Sequence, residues 1–300
     1  MKKALLIINP SSGGEKAKSY EGQAKEKLAE FFDEIVVKYT EKAGDATAFA
    51  AEACEKKFHS VFVMGGDGTV SEGISGLAER EYRPYFGFFP LGTVNDLARA
   101  LGISLEPEKA IAELDFSQIK ALDIGKINDK FFMNVVAVGA IPEAINRVES
   151  KDKTNWGALA YFASAVRQVV SMQSYPFALE IDGESREIES STILVGLTNS
   201  IGGFEQILPN AEVNDGVLHL IYLKDSNLVD SIKAVPNLLS GVDESTNNLE
   251  YMTFRQAKIS LINPEDSLRI NVDGDEGDAL PVEIGILPSH IQVYFGQNKA

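Results

Sequence analysis

The sequence predicts an α/β N-terminal domain followed by a mostly antiparallel β-sandwich, on three observations. Up to residue 122, apolar runs of strand length alternate with stretches of helical periodicity. Beyond residue 122, short β-type runs follow one another with turn residues between them. A chain of 300 residues with 44% hydrophobic and 24% charged residues can fill two cores, which excludes a disordered or fibrous chain. Strands separated by helices need crossover connections and so form a mostly parallel sheet, whereas strands joined by turns pair antiparallel. The expected domains are therefore 1–122 and 123–300, with the last segment free to return to the first.

In the first domain, ALLIIN (4–9) reads as a buried strand and 16–32 as a helix. EIVVKYT (34–40) is a strand, and Asp45 is a cap candidate for a helix over 46–57. SVFVMGG (60–66) and YFGFFP (85–90) are strands, each followed by a helix, over 69–78 and 94–101. In the second domain the β-type runs are ALDIG, FFMNVVAVG, FALEID, STILVGLTN, VLHLIYL, AKISLI, LRINVDG, PVEIGIL and HIQVYF. Helical periodicity survives there only over 156–170 and 228–239.

With 28 basic and 44 acidic residues the net charge is −16, the opposite of a nucleic-acid binder's balance. An anionic ligand must then be met locally, by backbone N–H groups, helix N-termini or a metal. The single cysteine, Cys54, excludes an internal disulfide and a multi-cysteine metal site. No apolar run is long enough to span a membrane. The opening MKKALLIINPSSGG reads as a first strand rather than a signal peptide, because Pro and Gly follow its short apolar run, and a cytoplasmic setting is expected.

The strongest motif is GGDGT, Gly65 to Thr69, directly after one strand and directly before a helix. Glycines let backbone approach phosphate, and the helix start offers free N–H groups and the positive end of its dipole. Asp67 repels phosphate and suits Mg²⁺, which binds carboxylates and phosphates together; as a loop carboxylate it is expected to be exposed and replaceable at little cost in stability. PLGTVNDLAR (90–99) repeats the strand–loop–helix pattern, with Thr93 either donating to a phosphate or capping the helix, and Asn95 and Asp96 in its first turn. NPSSGG (9–14) adds a third loop of small residues and donors. GxxxxGK[ST] is absent, the dinucleotide fingerprint fails at Ser71, and the protein-kinase HRD and DFG set is missing.

NPSSGG, GGDGTV and PLGTVNDLAR, in this order and spacing, resemble the diacylglycerol kinase catalytic-domain family, most nearly its bacterial lipid kinases. LDIG (122–125), GLTNS (196–200), GGFEQILPNAEVNDG (202–216) and NVDGD…LP (271–281) extend the resemblance over nearly the whole chain. It implies a nucleotide-binding α/β domain related to those of NAD kinases and phosphofructokinases, then a β-sandwich, with the site in the cleft between them. It places ATP at Asn9, Pro10, Ser11, Ser12, Gly13, Thr40, Gly65, Gly66, Asp67, Gly68, Thr69, Val70 and Thr93. Asp67, Asp96 and Asp123 match the acidic residues near the phosphates and catalytic Mg²⁺. NDGV (214–217) matches a loop holding a structural Mg²⁺, through the Asp215 carboxylate and the carbonyls of Glu212 and Val217, although Asn214 replaces the first of the family's two Asp.

The last motif departs from the family. DGE-x-G-G-x-L-P carries a Glu general base, but Asp275 holds that register here and Glu276 the variable position. Asp275 reaches the lipid hydroxyl, directly or through a water, or Glu276 substitutes after a local shift. The resemblance implies transfer of the γ-phosphoryl group of ATP to the primary hydroxyl of diacylglycerol or a related lipid, giving a phosphatidic acid-type product. Two alternatives stay open: a kinase of the same fold with a soluble acceptor, and a non-catalytic nucleotide- or lipid-binding homologue. The enzyme would visit the inner face of the membrane transiently, as a monomer or homodimer, with no nucleic-acid partner. Trp156, with Arg147, Lys151, Lys153 and Arg167, forms the candidate lipid-facing patch. His59, His219 and His290 read as strand-end or surface residues, and Cys54 as core.

Overall fold

Apolar runs of strand length become the parallel sheet of a first unit. The computed structural model describes residues 1–139, 174–203, 207–224, 241–246, 248–263 and 265–296. The chain divides into two compact units, Met1–Leu122 with Ser289–Ala300, and Asp123–Pro288.

In the first unit the order along the chain is β1 (Lys3–Ile8), α1 (Ser12–Glu15), α2 (Glu21–Ala29), β2 (Glu34–Tyr39), α3 (Asp45–Glu55), β3 (Ser60–Gly65), α4 (Asp67–Leu77), β4 (Tyr85–Pro90), α5 (Asp96–Ala100) and α6 (Pro107–Ala112). The strands lie in the order β2-β1-β3-β4, all parallel, and Val293 of the C-terminal segment pairs with Phe86 beside β4. Ala4, Leu6, Ile8, Phe62, Met64 and Phe89 join Ala24 and Leu28 of α2 in one core. Both faces of β1 and β3 are buried, which is why their sequences run continuously apolar instead of alternating. Each fully buried Leu or Ile contributes about 1.5–3 kcal/mol. After β1 the chain first fills the sheet on one side, at β2, and then on the other, at β3. The carboxyl ends of β1 and β3 therefore form the topological switch point, where open α/β sheets bind ligands.

The second unit follows from β5 (Ile119–Ile127), which forms a hairpin with β6 (Lys130–Phe132). Then come β7 (Val135–Gly139), β8 (Tyr175–Ile181), β9 (Glu184–Ser190), β10 (Thr192–Gly196), β11 (Leu218–Leu223), β12 (Leu249–Phe254), β13 (Gln256–Leu261), β14 (Arg269–Val272), β15 (Asp275–Ala279) and β16 (Val282–Tyr294). One sheet runs β12-β11-β10-β7-β14-β15, antiparallel throughout. Against it stand β9, β8, β13 and the first half of β16, also antiparallel. Val136, Val138, Ile193 and Leu220 of one sheet share a core with Phe177, Leu179, Ile259 and Ile284 of the other, which makes the unit a sandwich.

Four elements differ from the sequence reading. The helix expected over 16–32 is a 3₁₀ turn, Ala17–Tyr20, followed by α2 from Glu21. The helix expected from residue 94 starts at Asp96, because Asn95 takes the left-handed conformation at φ 55°. FFMNVVAVG breaks between β6 and β7, where the Asp273 carboxylate takes the N–H groups of Met133 and Asn134 that a continuous ladder would use. PVEIGIL and HIQVYF form one strand, β16. The helices expected over 156–170 and 228–239 lie outside the described residues, as does the patch around Trp156.

Candidate active site

The switch point of the first unit gathers three of the loops singled out by sequence. Asn9 follows β1, and its Nδ2 donates to Thr69 Oγ1 in α4 at 2.9 Å. The same Asn9 accepts at Oδ1 from the N–H and hydroxyl of Ser11, at 3.1 and 2.7 Å, which shapes the NPSSGG loop. Gly66 and Gly92 meet backbone to backbone: a Cβ on Gly66 would lie 3.2 Å from the Gly92 Cα, and one on Gly92 would lie 2.6 Å from Asn95 Oδ1 and 3.0 Å from Asp67 Oδ2. Only glycine permits that approach of the GGDGT and PLGTVND loops.

Asp67 is the hub between them. Its carboxylate accepts the Asn95 N–H at 2.9 Å and the Asp96 N–H at 3.1 Å. The sequence reading expected an exposed carboxylate of little structural consequence; the structure corrects this, because Asp67 is half-buried and holds the start of α5. Burial pushes its carboxyl above the ordinary value, against the Asn95 N–H, and the charge of Asp96 adds to the rise. Asn95 closes the loop by exchanging two hydrogen bonds with Gly92, both at 2.9 Å. Asn95, not Thr93, occupies the cap position of α5, so Thr93 stays exposed and available to a ligand.

A cavity of about 330 Å³ opens beside this hub, lined by Asn9, Ser11, Thr40, Lys42, Thr69 and Glu72 among others. Thr40 is fixed there by its N–H to the Ile8 carbonyl at 2.9 Å. Sequence reasoning missed Lys42 and Glu72. Glu72 accepts from the N–H groups of Gly44 and Ala46, at 2.9 and 3.2 Å, so it shapes the loop rather than offering a free charge. Nothing in the sequence around Glu72 signals this role, because its partners lie in another loop.

In the second unit, antiparallel order does the gathering. β7 and β11 begin at the end of the sheet where β10 and β14 finish. Loops 133–134, 197–203, 212–217 and 273–274 therefore share one end. Asp273 accepts the N–H groups of Met133, Asn134 and Val135, each at 2.9 Å, which locks two of them together. Asp123, 2% exposed, accepts the Gly216 N–H at 2.7 Å and donates its own N–H to the Val213 carbonyl at 2.8 Å. The structure thus brings Asp67 to Asp96 in one unit, and Asp123 to the 212–217 loop in the other.

Asp215 accepts the N–H groups of Glu212 and Val217, at 3.0 and 3.1 Å, and lies 2.9 Å from His219 Nε2. Burial raises its carboxyl, but the hydrogen bonds from His219, Glu212 and Val217 outweigh burial and hold it below the ordinary value. Among the described residues no group of three His, Cys, Asp or Glu could hold an ion, so a cation at this loop would rest on one carboxylate and on carbonyls. An all-oxygen donor set with an ionised carboxylate fits a hard cation such as Mg²⁺. His219, expected at a strand end or surface, lies at the start of β11 and is 3% exposed, so it is a strand-end residue and not a surface one.

Asp275 and Glu276 separate. Asp273 and Gly274, at φ 49° and 97°, turn the β14–β15 hairpin, and Val272 pairs with Asp275 across it. Successive strand residues face opposite sides, so Glu276 points away from Asp275 and meets Arg269 Nη1 at 3.0 Å. Asp278, where the family has Gly, pairs with Lys130 at 2.8 Å and Asn128 at 3.0 Å.

The two halves match known families separately. The diacylglycerol kinase catalytic domain matches residues 3–127, and the YegS C-terminal NAD kinase beta sandwich-like domain matches residues 134–295. The chain is 36% identical to a diacylglycerol kinase of Bacillus subtilis, over 100% of this chain and 98% of that protein. It belongs to the diacylglycerol kinase family. A Streptococcus pneumoniae protein named provisionally as a lipid kinase is 40% identical, over 98% of each chain. A crystal structure described as a diacylglycerol kinase from Bacillus anthracis superposes with a TM-score of 0.78 at 25% identity, covering 99% of this chain and 97% of that one. Another chain from the same organism reaches a TM-score of 0.87 at 27% identity, covering 99% and 96%. The kinase fold and the sandwich expected from sequence are both present, and the chain is a kinase of this family.

Proposed function

We propose that this kinase transfers the γ-phosphoryl group of ATP, with Mg²⁺, to the primary hydroxyl of diacylglycerol or a closely related lipid. The observation that supports it most is the Asn9–Thr69–Asp67–Asn95 hub at the switch point, with a cavity beside it, in a chain matched over its full length by diacylglycerol kinases. The N–H groups of Gly68 and Thr69 at the start of α4 would receive phosphate oxygens, with the α4 dipole favouring their charge. Ser11, Thr40 and Thr93 offer hydroxyls around the same nucleotide. When bound, Mg²⁺ neutralises phosphate charge as it shifts during transfer. Asp67 and Asp96 keep the loop start shaped for that ion, and in the second unit Asp123 of β5 holds the 212–217 loop through the Gly216 N–H.

Asp275 is proposed as the base that accepts the lipid hydroxyl proton while the oxygen attacks phosphorus and ADP departs. Its side chain is exposed and makes no ion pair among the described residues, while Glu276 is held by Arg269. The loop of Glu212, Asp215 and Val217 is proposed to hold a second, structural Mg²⁺. Contact with the membrane surface is transient in this reading; no described helix is long and apolar enough to cross a bilayer.

The test is a radiolabelled-ATP assay with diacylglycerol in mixed vesicles and the product identified by mass spectrometry. A phosphatidic acid-type product that requires Mg²⁺ is expected. Label appearing only in a water-soluble product would replace the lipid by a soluble acceptor, and no Mg²⁺-dependent ATP use with any lipid would make the chain a binding homologue.

A further inference from the structure

Tyr251, His219 and Asp215 form a chain of hydrogen bonds that the phosphoryl-transfer reading does not use. His219 Nδ1 lies 2.8 Å from the Tyr251 hydroxyl, and Nε2 lies 2.9 Å from Asp215 Oδ2. The two rings stack at a centroid distance of 6.0 Å and an angle of 23°. Strand pairing puts them there: His219 of β11 stands opposite Thr253, and Tyr251 opposite Ile221, so the two residues are diagonal neighbours on one face. An ionised carboxylate only accepts, so Nε2 carries the hydrogen; in the neutral ring Nδ1 then accepts from the Tyr251 hydroxyl. That fixes both the tautomer and the plane of the imidazole.

The consequence falls on Asp215. A carboxylate has about four lone-pair directions. Glu212 N–H and His219 Nε2 fill two on Oδ2, and Val217 N–H fills one on Oδ1. One direction on Oδ1 is left for a cation. Asn214 removes the second carboxylate that this loop has in the family, so a metal here depends on a single anionic ligand and on how firmly it is aimed.

We infer that His219, held in turn by Tyr251, is a positioning residue that aims the Asp215 carboxylate at the loop cation. This rests on the reading of residues 212–217 as a Mg²⁺ site. Partners of this kind change metal affinity by about 10–100-fold when removed. The experiment uses the full chain without nucleotide. Thermal melts are compared in Mg²⁺ and in chelator, and Mn²⁺ binding is titrated by electron paramagnetic resonance. Wild type should gain melting temperature from Mg²⁺ and bind Mn²⁺. His219→Ala should lose most of that gain and bind Mn²⁺ about 10–100-fold more weakly, whatever its melting temperature in chelator. His219→Gln, whose amide can both donate and accept, should recover part of both, and Tyr251→Phe should weaken Mn²⁺ binding by less than His219→Ala. Wild-type metal gain and affinity in His219→Ala, or in Tyr251→Phe and His219→Gln alike should His219→Ala fail to fold, would make the imidazole packing alone. A wild type that gains nothing from Mg²⁺ and binds no Mn²⁺ would remove the loop site itself, and the inference with it.

Discussion

Asn9 Nδ2 donates to Thr69 Oγ1 at 2.9 Å, tying the end of β1 to the first turn of α4 across the switch point of the first unit. Thr69 is 8% exposed, so the bond is shielded from competing water. The residues are 60 apart in sequence, and neither motif alone announces the contact.

Thr69→Val keeps the shape and removes the acceptor. An Asn9 amide left without its partner should cost about 1–3 kcal/mol, read as a lower urea midpoint at unchanged slope. Because Asn9 and Thr69 both line the cavity, KM for ATP should rise more than kcat falls. An unchanged KM would separate this bond from nucleotide binding.

Asp67→Ala should stop turnover and also destabilise the protein, since the N–H groups of Asn95 and Asp96 lose their acceptor. The pH dependence has a definite sign. Burial raises the Asp67 carboxyl, so between the ordinary and the raised value the native state binds more protons than the unfolded state. Wild-type stability contributed by this group then falls as pH rises through that window. Melting series across the acid range should show a flatter profile for Asp67→Ala. Turnover near wild type would take Asp67 out of the chemistry, and an unaltered slope would mean that its proton is not coupled to folding.

The strand-end loops were legible because each motif joins a buried apolar run to a helix start, and that pattern is local. GGDGT and PLGTVND could be placed beside one another from sheet physics alone. What could not be read was how Asp67 is used, because its partners are the backbone N–H groups of another loop. The same holds for Asp273, whose three N–H partners split FFMNVVAVG into two strands although only Asn134 interrupts its apolar run. Polar edge elements carried no hydrophobic signal: β9 is ESREIES, buried only at Ser190, and β15 is DEGDA. His219 was legible as a strand-end residue, but its burial was not, because its neighbours Asp215 and Tyr251 meet it only through strand register.

Glu52 offers a test of the surface electrostatics. Lys38 and Lys56 hold its carboxyl down at about 2. A lowered carboxyl contributes stability above its unfolded value, and that contribution is lost as pH falls towards the folded one. The group is close to solvent, so Glu52→Gln should cost no more than about 1 kcal/mol at neutral pH and low salt. The difference between variant and wild type should shrink in acid and in high salt. A difference that survives both would point to packing of the side chain instead of its charge.

Asp275 and Glu276 differ in orientation, and the chemistry should follow the orientation. Val272 and Asp275 face each other beside the Asp273–Gly274 turn, which places Asp275 at the tip of the hairpin. Glu276 lies on the opposite face, opposite Asn271, with its charge engaged by Arg269. A positioned general base contributes about 10²–10⁴-fold to rate. Asp275→Asn should therefore lower kcat by about that range while leaving ATP binding intact. Glu276→Gln should leave kcat close to wild type, because the residue it frees, Arg269, is itself largely exposed. Asp275→Glu restores the longer side chain found in the family and should keep or raise kcat, since the added methylene shortens the reach to a hydroxyl. These variants are compared in steady-state kinetics on dispersed diacylglycerol, with nucleotide affinity measured separately. If Glu276→Gln abolishes turnover and Asp275→Asn does not, the base is Glu276, and the hairpin must shift its register when the lipid binds.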